Sequence, residues 1–517
     1  MMLRLKSLLL TATGLWLCAA TGTLAQGQRK TYPQPRMTEA VRSLQASRTP
    51  WKATRGADGP LPAGVDNSVS PYFPPILDQQ GGSCAQASGI GYLFTYEMNR
   101  LLGRDARTAD NRFSYLFAWN MINGGADEGG FVDEGLFIAT RYGMMTEADF
   151  GYASTYQFKW ASGYEKYLNA LRYRADEVLK FDLRTAEDID ALKRYLYDGG
   201  NGGTSGGIVT FSTCSSGWGM DTDYQGPSAT GYHTVLTRLA TEGAHALTIA
   251  GYDDLVEFKD ANDSIHRGAF IVVNTWGSYM HDNGRFYLPY YFFLHRSQVT
   301  GGLMLSDNAT GVVPRYAEPK VVMGVAVDYS SRNDLSFRYG MGETIEANRP
   351  AQYYSLAVFN NQGGDYPMQG NWSASGTMEF AIDCTERLPA GDELPKTFFL
   401  NVVRSSRGSK TGEGKLTGFS VTDYRGAVAR RYVYRQTEAQ SLVWGENIFR
   451  LQTAPRRMVS AAPWRWGDES MKPLPQTLLI RTAHGGYAKV EITGYDAATG
   501  KLELRYACTR NTNGKFE

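Results

Sequence analysis

From Cys84 to Leu102, apolar side chains recur at Ile90, Leu93, Phe94, Met98, Leu101 and Leu102. That three-and-four spacing lays one stripe along a helix. "RFSYLFAWNMI" and "VDEGLFIATRYG" predict two more helices, the second stopped by Gly143. The pattern then changes. "SGGIVTFST", "HALTIAGYDD", "GAFIVVNTWG" and "GRFYLPYYFF" are β-branched or aromatic runs bounded by glycine or charge, and they predict strands. Helices first and strands later give an α+β domain over residues 61–305. From about Val312 the segments shorten. "VVMGVAVDYS", "GTMEFAIDCT", "KTFFLNVVRS" and the runs down to "KLELRYACTR" predict an all-β, sandwich-like accessory region over 312–517, of one or two modules. "LSDNATGVVPRYAEP" reads as the linker, and the β-region after it reads as removable.

The first residues add a compartment. "MMLRLK" carries Arg4 and Lys6, and an uncharged apolar run follows through Ala25. With small residues before Gln26, this has the layout of an export signal over 1–25. The mature chain is then expected to be soluble and exported: secreted, periplasmic or at the cell surface, with no stable membrane insertion. Residues 26–60 are polar and contain Pro33, Pro35, Pro50 and Pro60, as in an extended arm or short prosegment. Lys plus Arg is 53 and Asp plus Glu is 52, so no strong field points to nucleic acid. Asp127, Glu128, Asp133 and Glu134 fit no calcium loop and read as a solvated face, so no metal or cofactor is expected.

Removing Cys18 with the signal leaves Cys84, Cys214, Cys384 and Cys508. Cys384 and Cys508 lie in strand-like segments, and export allows them to form a disulfide. Cys84 is different, because Gly81, Gly82 and Ser83 turn the chain tightly just before a helix. The first N–H groups of a helix favour thiolate over thiol. A nucleophilic thiolate needs a histidine to take its proton and a third group to hold that ring. His245 opens one strand and Asn274 ends another, and Trp276 is placed to shield the bond between them.

Taken together, "GSCAQAS", "HALTIAGYDD" and "VVNTWGSYMHDNGRFYL" resemble the papain family of cysteine peptidases, as do the weaker segments "LPAGVDNSVSPYFPPILDQ" and "GGFVDEGLFIATRYGMMTEADFGY". The resemblance spans roughly residues 61–300 and implies two lobes with a cleft for an extended polypeptide. It implies Cys84 as nucleophile, His245 as general base and acid, and Asn274 as the residue orienting the imidazole. The Cys84 N–H and a glutamine amide would form the oxyanion hole. Asp78 stands at the family's glutamine position, which leaves Gln79 and Gln80, and a one-residue deletion makes Gln79 the better match. Gly129 and Gly130 match the family's paired glycines, which border the cleft, with a plain turn as the alternative reading, and Trp276 is also expected at the substrate cleft. Ala85 replaces the family's tryptophan after the nucleophile. The expected activity is exported cysteine endopeptidase. A reading from another class is a peptide- or glycan-binding surface protein on the same scaffold. Retention of Cys84, His245 and Asn274 together favours the peptidase.

Overall fold

The computed structural model describes residues 30, 32–53, 59–151, 157–200, 202–203, 205–296, 305–370, 377–388, 394, 396–406, 412–426, 429–434, 439–453, 476–481, 487–496 and 501–509. The expected signal, with Cys18, lies outside them. None of the described helices is long and apolar enough to cross a membrane.

The helix predicted after the glycine turn runs from Cys84 through three windings. Cys84–Gln86 is α-helical, Ala87–Phe94 is π-helical and Thr95–Leu102 is α-helical again. Gly103 ends it in the left-handed conformation, at φ 62°. Every residue of Ala87–Phe94 is buried, so this is a central helix covered on all sides. Two glycines permit that. A Cβ on Gly89 would meet Val132 at 2.9 Å and one on Gly91 would meet Leu77 at 2.5 Å. Around it pack Tyr115–Asn120 and Val132–Tyr142, and Tyr164–Ala170 joins the same hydrophobic core.

The strands assemble into a ten-stranded sheet. Its order is Thr49–Pro50, Tyr173–Asp182, Asn308–Tyr316, Val209–Ser216, Glu242–Lys259, Ile265–Val273, Arg285–Pro289, Val235–Arg238 and Gly219–Asp221, with Gly64–Asp66 also on Glu242–Lys259. A helix the hydrophobic pattern did not single out, Ala186–Asp198, joins this sheet in a second core around Phe181, Leu192, Ile249 and Phe270. Thr185 and Asp188 close its first turn by a reciprocal capping box.

Three expectations are corrected. The candidate linker is the strand Asn308–Tyr316, which pairs along its whole length with Tyr173–Asp182. Gly311 and Pro314 resemble turn signals, but the proline falls at a register shift, where a ladder tolerates it. The α+β part therefore runs past residue 305. The following β-region has two sheets: Met378–Asp383, Val321–Tyr329, Gly414–Asp423, Arg430–Val433 and Gln440–Ser441 in one, and Tyr353–Ser355, Leu335–Met341, Thr397–Arg404 and Gly445–Gln452 in the other. A separate three-stranded sheet, Gln476–Arg481, Tyr487–Asp496 and Lys501–Thr509, follows.

The second correction concerns independence. The two larger β-region sheets share one hydrophobic core with the helices around Cys84. Phe359 touches Tyr142, Trp160 and Tyr167, with ring centroids 5.9, 5.9 and 6.4 Å apart. Fully buried Arg332 lies 4.0 Å over the Trp160 ring and donates to the carbonyls of Phe158 and Gly363. Buried Arg174 pairs with Asp383. Cys384 is a free thiol fully buried in that core, and burial pushes it far above the usual thiol range. The expected Cys384–Cys508 disulfide is therefore not formed in this structure. The Cys508 side chain lies outside the described residues.

A chain ending at Ser306 should not fold as the full chain does. It loses a strand of the large sheet and bares Tyr142, Trp160 and Tyr167. The expected outcome is aggregation, or a chain without a cooperative thermal transition in near-ultraviolet circular dichroism. A soluble product with a sharp transition would show that the shared core is dispensable.

Candidate active site

Cys84 and His245 come from opposite sides of the molecule. Cys84 opens the central helix, and His245 lies on the strand Glu242–Lys259. They line one cleft with Gly82, Gly129, Gly130 and Val132. The helix is fastened to the sheet here. The Ser88 hydroxyl donates to the Ala246 carbonyl at 2.9 Å. Burial pushes the Cys84 thiol up, opposed by the backbone N–H groups of Ala246, Ala85 and Cys84 itself. Those donors stabilise the thiolate, as expected at a helix start.

The imidazole is fixed from behind. His245 Nε2 lies 2.9 Å from Asn274 Oδ1, and both residues are buried. Asn274 engages Nε2, and His245 itself lines the cleft. Trp276 stacks on the ring at 4.5 Å, and Trp218 packs on Trp276 at 5.5 Å. The Asn274 amide in turn lies 3.3 Å from His281 Nε2. Burial lowers His281 to about 4, so it is neutral at ordinary pH and accepts from that amide.

The two sides meet through one hydroxyl. Tyr92, fully buried in the central helix, accepts from the Leu77 N–H at 2.8 Å and donates to the Asn274 carbonyl at 2.9 Å. Two backbone bonds continue the join: Gln79 N–H to the Thr275 carbonyl at 2.7 Å, and Gly277 N–H to the Leu77 carbonyl at 2.9 Å. Gln79 is clamped as well. Its amide nitrogen donates to the Gly81 carbonyl at 2.9 Å, and its oxygen accepts from the Thr275 hydroxyl. Gln80 is held through its backbone, where the N–H donates to the Tyr115 hydroxyl at 3.2 Å.

The arm lies over this cleft. It is not wholly extended, since Glu39–Ala46 is a helix capped by the Thr38 hydroxyl. Before that helix, the Tyr32 carbonyl accepts from the Ala244 N–H at 3.0 Å, and Pro33, Gln34 and Pro35 line the cleft. With these in place the remaining cavity is about 130 Å³. A ligand pocket needs several hundred, so this is room for a few waters and not for a peptide. Beyond the helix, Arg48 makes two 2.6 Å bonds to Asp133, whose side chain is 2% exposed. Trp51 then stacks on Phe181 at 5.1 Å.

The acidic set is thus corrected. Asp133 is a buried ion-pair partner, Glu134 accepts from the Phe131 N–H at 2.8 Å to cap its own helix, and Asp127 is bonded to Gly82 of the cleft wall. Among the described residues no group of His, Cys, Asp or Glu is arranged to hold a metal. Sequence reasoning also passed over Tyr92, Trp218 and His281. The signal for His281 was its place in "HDNGRF", after the asparagine strand. Tyr92 carried none beyond its helical position.

Comparison with solved structures finds similarity to cysteine proteases. Xylellain, a cysteine protease from Xylella fastidiosa, is 20% identical with a TM-score of 0.37, over 55% of this chain and 95% of that chain. A procathepsin B of Trypanosoma congolense is 14% identical with a TM-score of 0.35, over 52% of this chain and 84% of that one. Procathepsin L 3 of the Tenebrio molitor larval midgut is 14% identical with a TM-score of 0.33, over 52% and 74%. No protein-family model and no curated protein matches the chain.

Tyr92→Phe should strand a buried N–H and a buried carbonyl, each costing about 1–3 kcal/mol. Urea melts should show a loss of that order, and unchanged stability would mean the hydroxyl joins nothing. A second expectation concerns pH. The folded-state value of His281 lies below the ordinary 6.5, so the unfolded chain takes up the proton first as pH falls. This contribution is complete above pH 6.5 and is lost progressively towards pH 4, by about 3 kcal/mol in all. His281→Asn, which tolerates the local φ of 52°, should flatten that slope in urea melts at several pH values. An unchanged slope would assign the acid sensitivity elsewhere.

Proposed function

We propose that this chain is an exported cysteine endopeptidase, held latent by its own N-terminal arm. The observation that carries the reading is the fixed His245–Asn274 pair facing the cleft that Cys84 lines. An imidazole oriented through one nitrogen presents the other in a single direction, which general base catalysis requires.

In this reading His245 takes the Cys84 proton, and the sulfur attacks the carbonyl carbon of an extended polypeptide. The Cys84 N–H and the Gln79 amide receive the negative charge that forms on the carbonyl oxygen. For Gln79 this requires its amide to leave the Gly81 carbonyl. His245 then returns the proton to the departing amine, leaving a thioester. Water, deprotonated by the same imidazole, adds to the thioester, and collapse releases the acid and restores the thiol. Trp276 keeps solvent from the His245–Asn274 bond, and Gly129 and Gly130 let a substrate backbone approach closely.

Latency follows from the arm. It fills the space a substrate needs, and its cover contributes to the burial that raises the thiol. Once the arm is cut between the cleft and the Glu39–Ala46 helix, the sulfur is resolvated and ionises more readily.

Limited proteolysis within residues 34–38 should therefore raise both peptide hydrolysis and the rate of Cys84 alkylation by iodoacetamide near pH 6, each by tenfold or more. Cys84→Ala should abolish turnover, and His245→Ala should come close to doing so. Asn274→Ala should cost less, because the ring can still reach the sulfur. Gln79→Ala should lower turnover roughly 10²–10³-fold, the usual cost of one oxyanion donor, and Gln80→Ala should be mild. Wild-type hydrolysis by Cys84→Ala would end the peptidase reading.

A further inference from the structure

Asp127, bonded to Gly82 of the cleft wall, is a charged group that the chemistry above leaves unused. Its Oδ1 accepts from the Gly82 N–H at 2.9 Å, two residues before the nucleophile. Its Oδ2 takes the Lys30 ammonium at 2.9 Å and the Tyr32 hydroxyl at 2.8 Å. The seat is built to keep the carboxylate in place. A Cβ on Gly81, whose φ is +51°, would come within 2.1 Å of Asp127 Oδ1. Burial pushes Asp127 up, but the Lys30 ammonium, the Gly82 N–H and the Tyr32 hydroxyl outweigh it and hold the group below the usual carboxylate range. It stays charged wherever the enzyme would work.

The cation on Asp127 belongs to the same stretch whose Tyr32 carbonyl bonds the Ala244 N–H beside His245. Tyr32 is also close enough to Cys84 for the thiolate charge to raise its phenol, after burial and Asp127. The arm thus crosses the nucleophile with a lysine side chain delivered to a fixed carboxylate. We infer that Asp127 is a specificity-determining residue, selecting a lysine or arginine side chain at one position of the substrate, and that Lys30 occupies that seat in the latent chain. This rests on the peptidase reading. The alternative, an anchor for the arm alone, makes a different prediction about selectivity.

The test uses full chain activated by limited proteolysis of the arm. N-terminally acetylated fluorogenic peptides carry Lys, Arg, Leu, Gln or Glu at each position in turn, so that no free α-amine competes for the carboxylate. The expected result is one position at which Lys and Arg give kcat/KM about three- to fivefold above Leu and Gln, with Glu poorest, a size suited to an ion pair at an exposed rim. Asp127→Asn keeps an acceptor for the Gly82 N–H and should bring the Lys-to-Leu ratio near unity, while Asp127→Glu should retain a preference. Added salt at 1 M should shrink the wild-type ratio. Wild-type enzyme that cleaves neutral peptides without basic preference would overturn the assignment and leave the peptidase reading standing. So would a preference that survives in Asp127→Asn. If no peptide is cleaved and Cys84 resists alkylation after arm removal, the peptidase reading falls and takes the assignment with it.

Discussion

The site depends on the join at Tyr92. Cys84 is carried by the helix and His245 by the sheet, so their relation is set by whatever fixes helix to sheet. The Tyr92 hydroxyl bonds the Leu77 N–H and the Asn274 carbonyl, and the Leu77–Gln79 and Thr275–Gly277 segments add two backbone bonds. In a dry interior each such group is costly to leave unpaired, which makes the join specific as well as strong. It holds the chain leading into Cys84 against the chain carrying Asn274. A shift of an ångström here would move the imidazole relative to the sulfur, and proximity effects are steep on that scale.

A second constraint lies on the far side of the central helix. Helical domains usually close their own cores, but here Tyr142, Trp160 and Tyr167 are closed by Phe359 of the β-region. Arg332 is fully buried among carbonyl oxygens and the Trp160 face, and burial draws its pKa down to about 9. Paying that desolvation makes sense where carbonyls of both parts must be satisfied at once. The β-region is thus a wall of the helical part and not an appendage to it.

The arm is held unevenly. Its anchor at Arg48 and Asp133 is almost fully buried, and breaking a pair of that kind costs about 3–5 kcal/mol. Over the cleft, Lys30 is 65% exposed, and an ion pair at such a rim is worth about 1 kcal/mol or less. The segment that blocks the site is therefore the easier one to displace. Residues 39–53 can stay docked on the body while Lys30 and residues 32–35 leave.

Local chemistry was legible in the sequence. Helical spacing after Cys84, the β-branched and aromatic runs around His245 and Asn274, and the glycine turn before Cys84 are properties of neighbouring residues, and the helix and strands they predict are present in the fold. The linker failed because a glycine and a proline in Asn308–Tyr316 imitate a turn, and the pairing that overrules them comes from residues 173–182. Asp133 failed similarly. A carboxylate in an acidic run looks solvated until an arginine 85 positions earlier is folded onto it. The disulfide failed because two strand-like cysteines say nothing about which core each strand enters. Tyr92, Asp127 and Arg332 act through partners such as Asn274, Lys30 and Phe158, which are 182, 97 and 174 positions away, and a contact of that kind leaves no mark on the sequence around it. The sequence thus determined which groups could do the chemistry and in what order they occur. Only the tertiary structure decided which are buried, which are paired and what lies across the cleft, because burial and pairing are set by chain segments that meet only after folding.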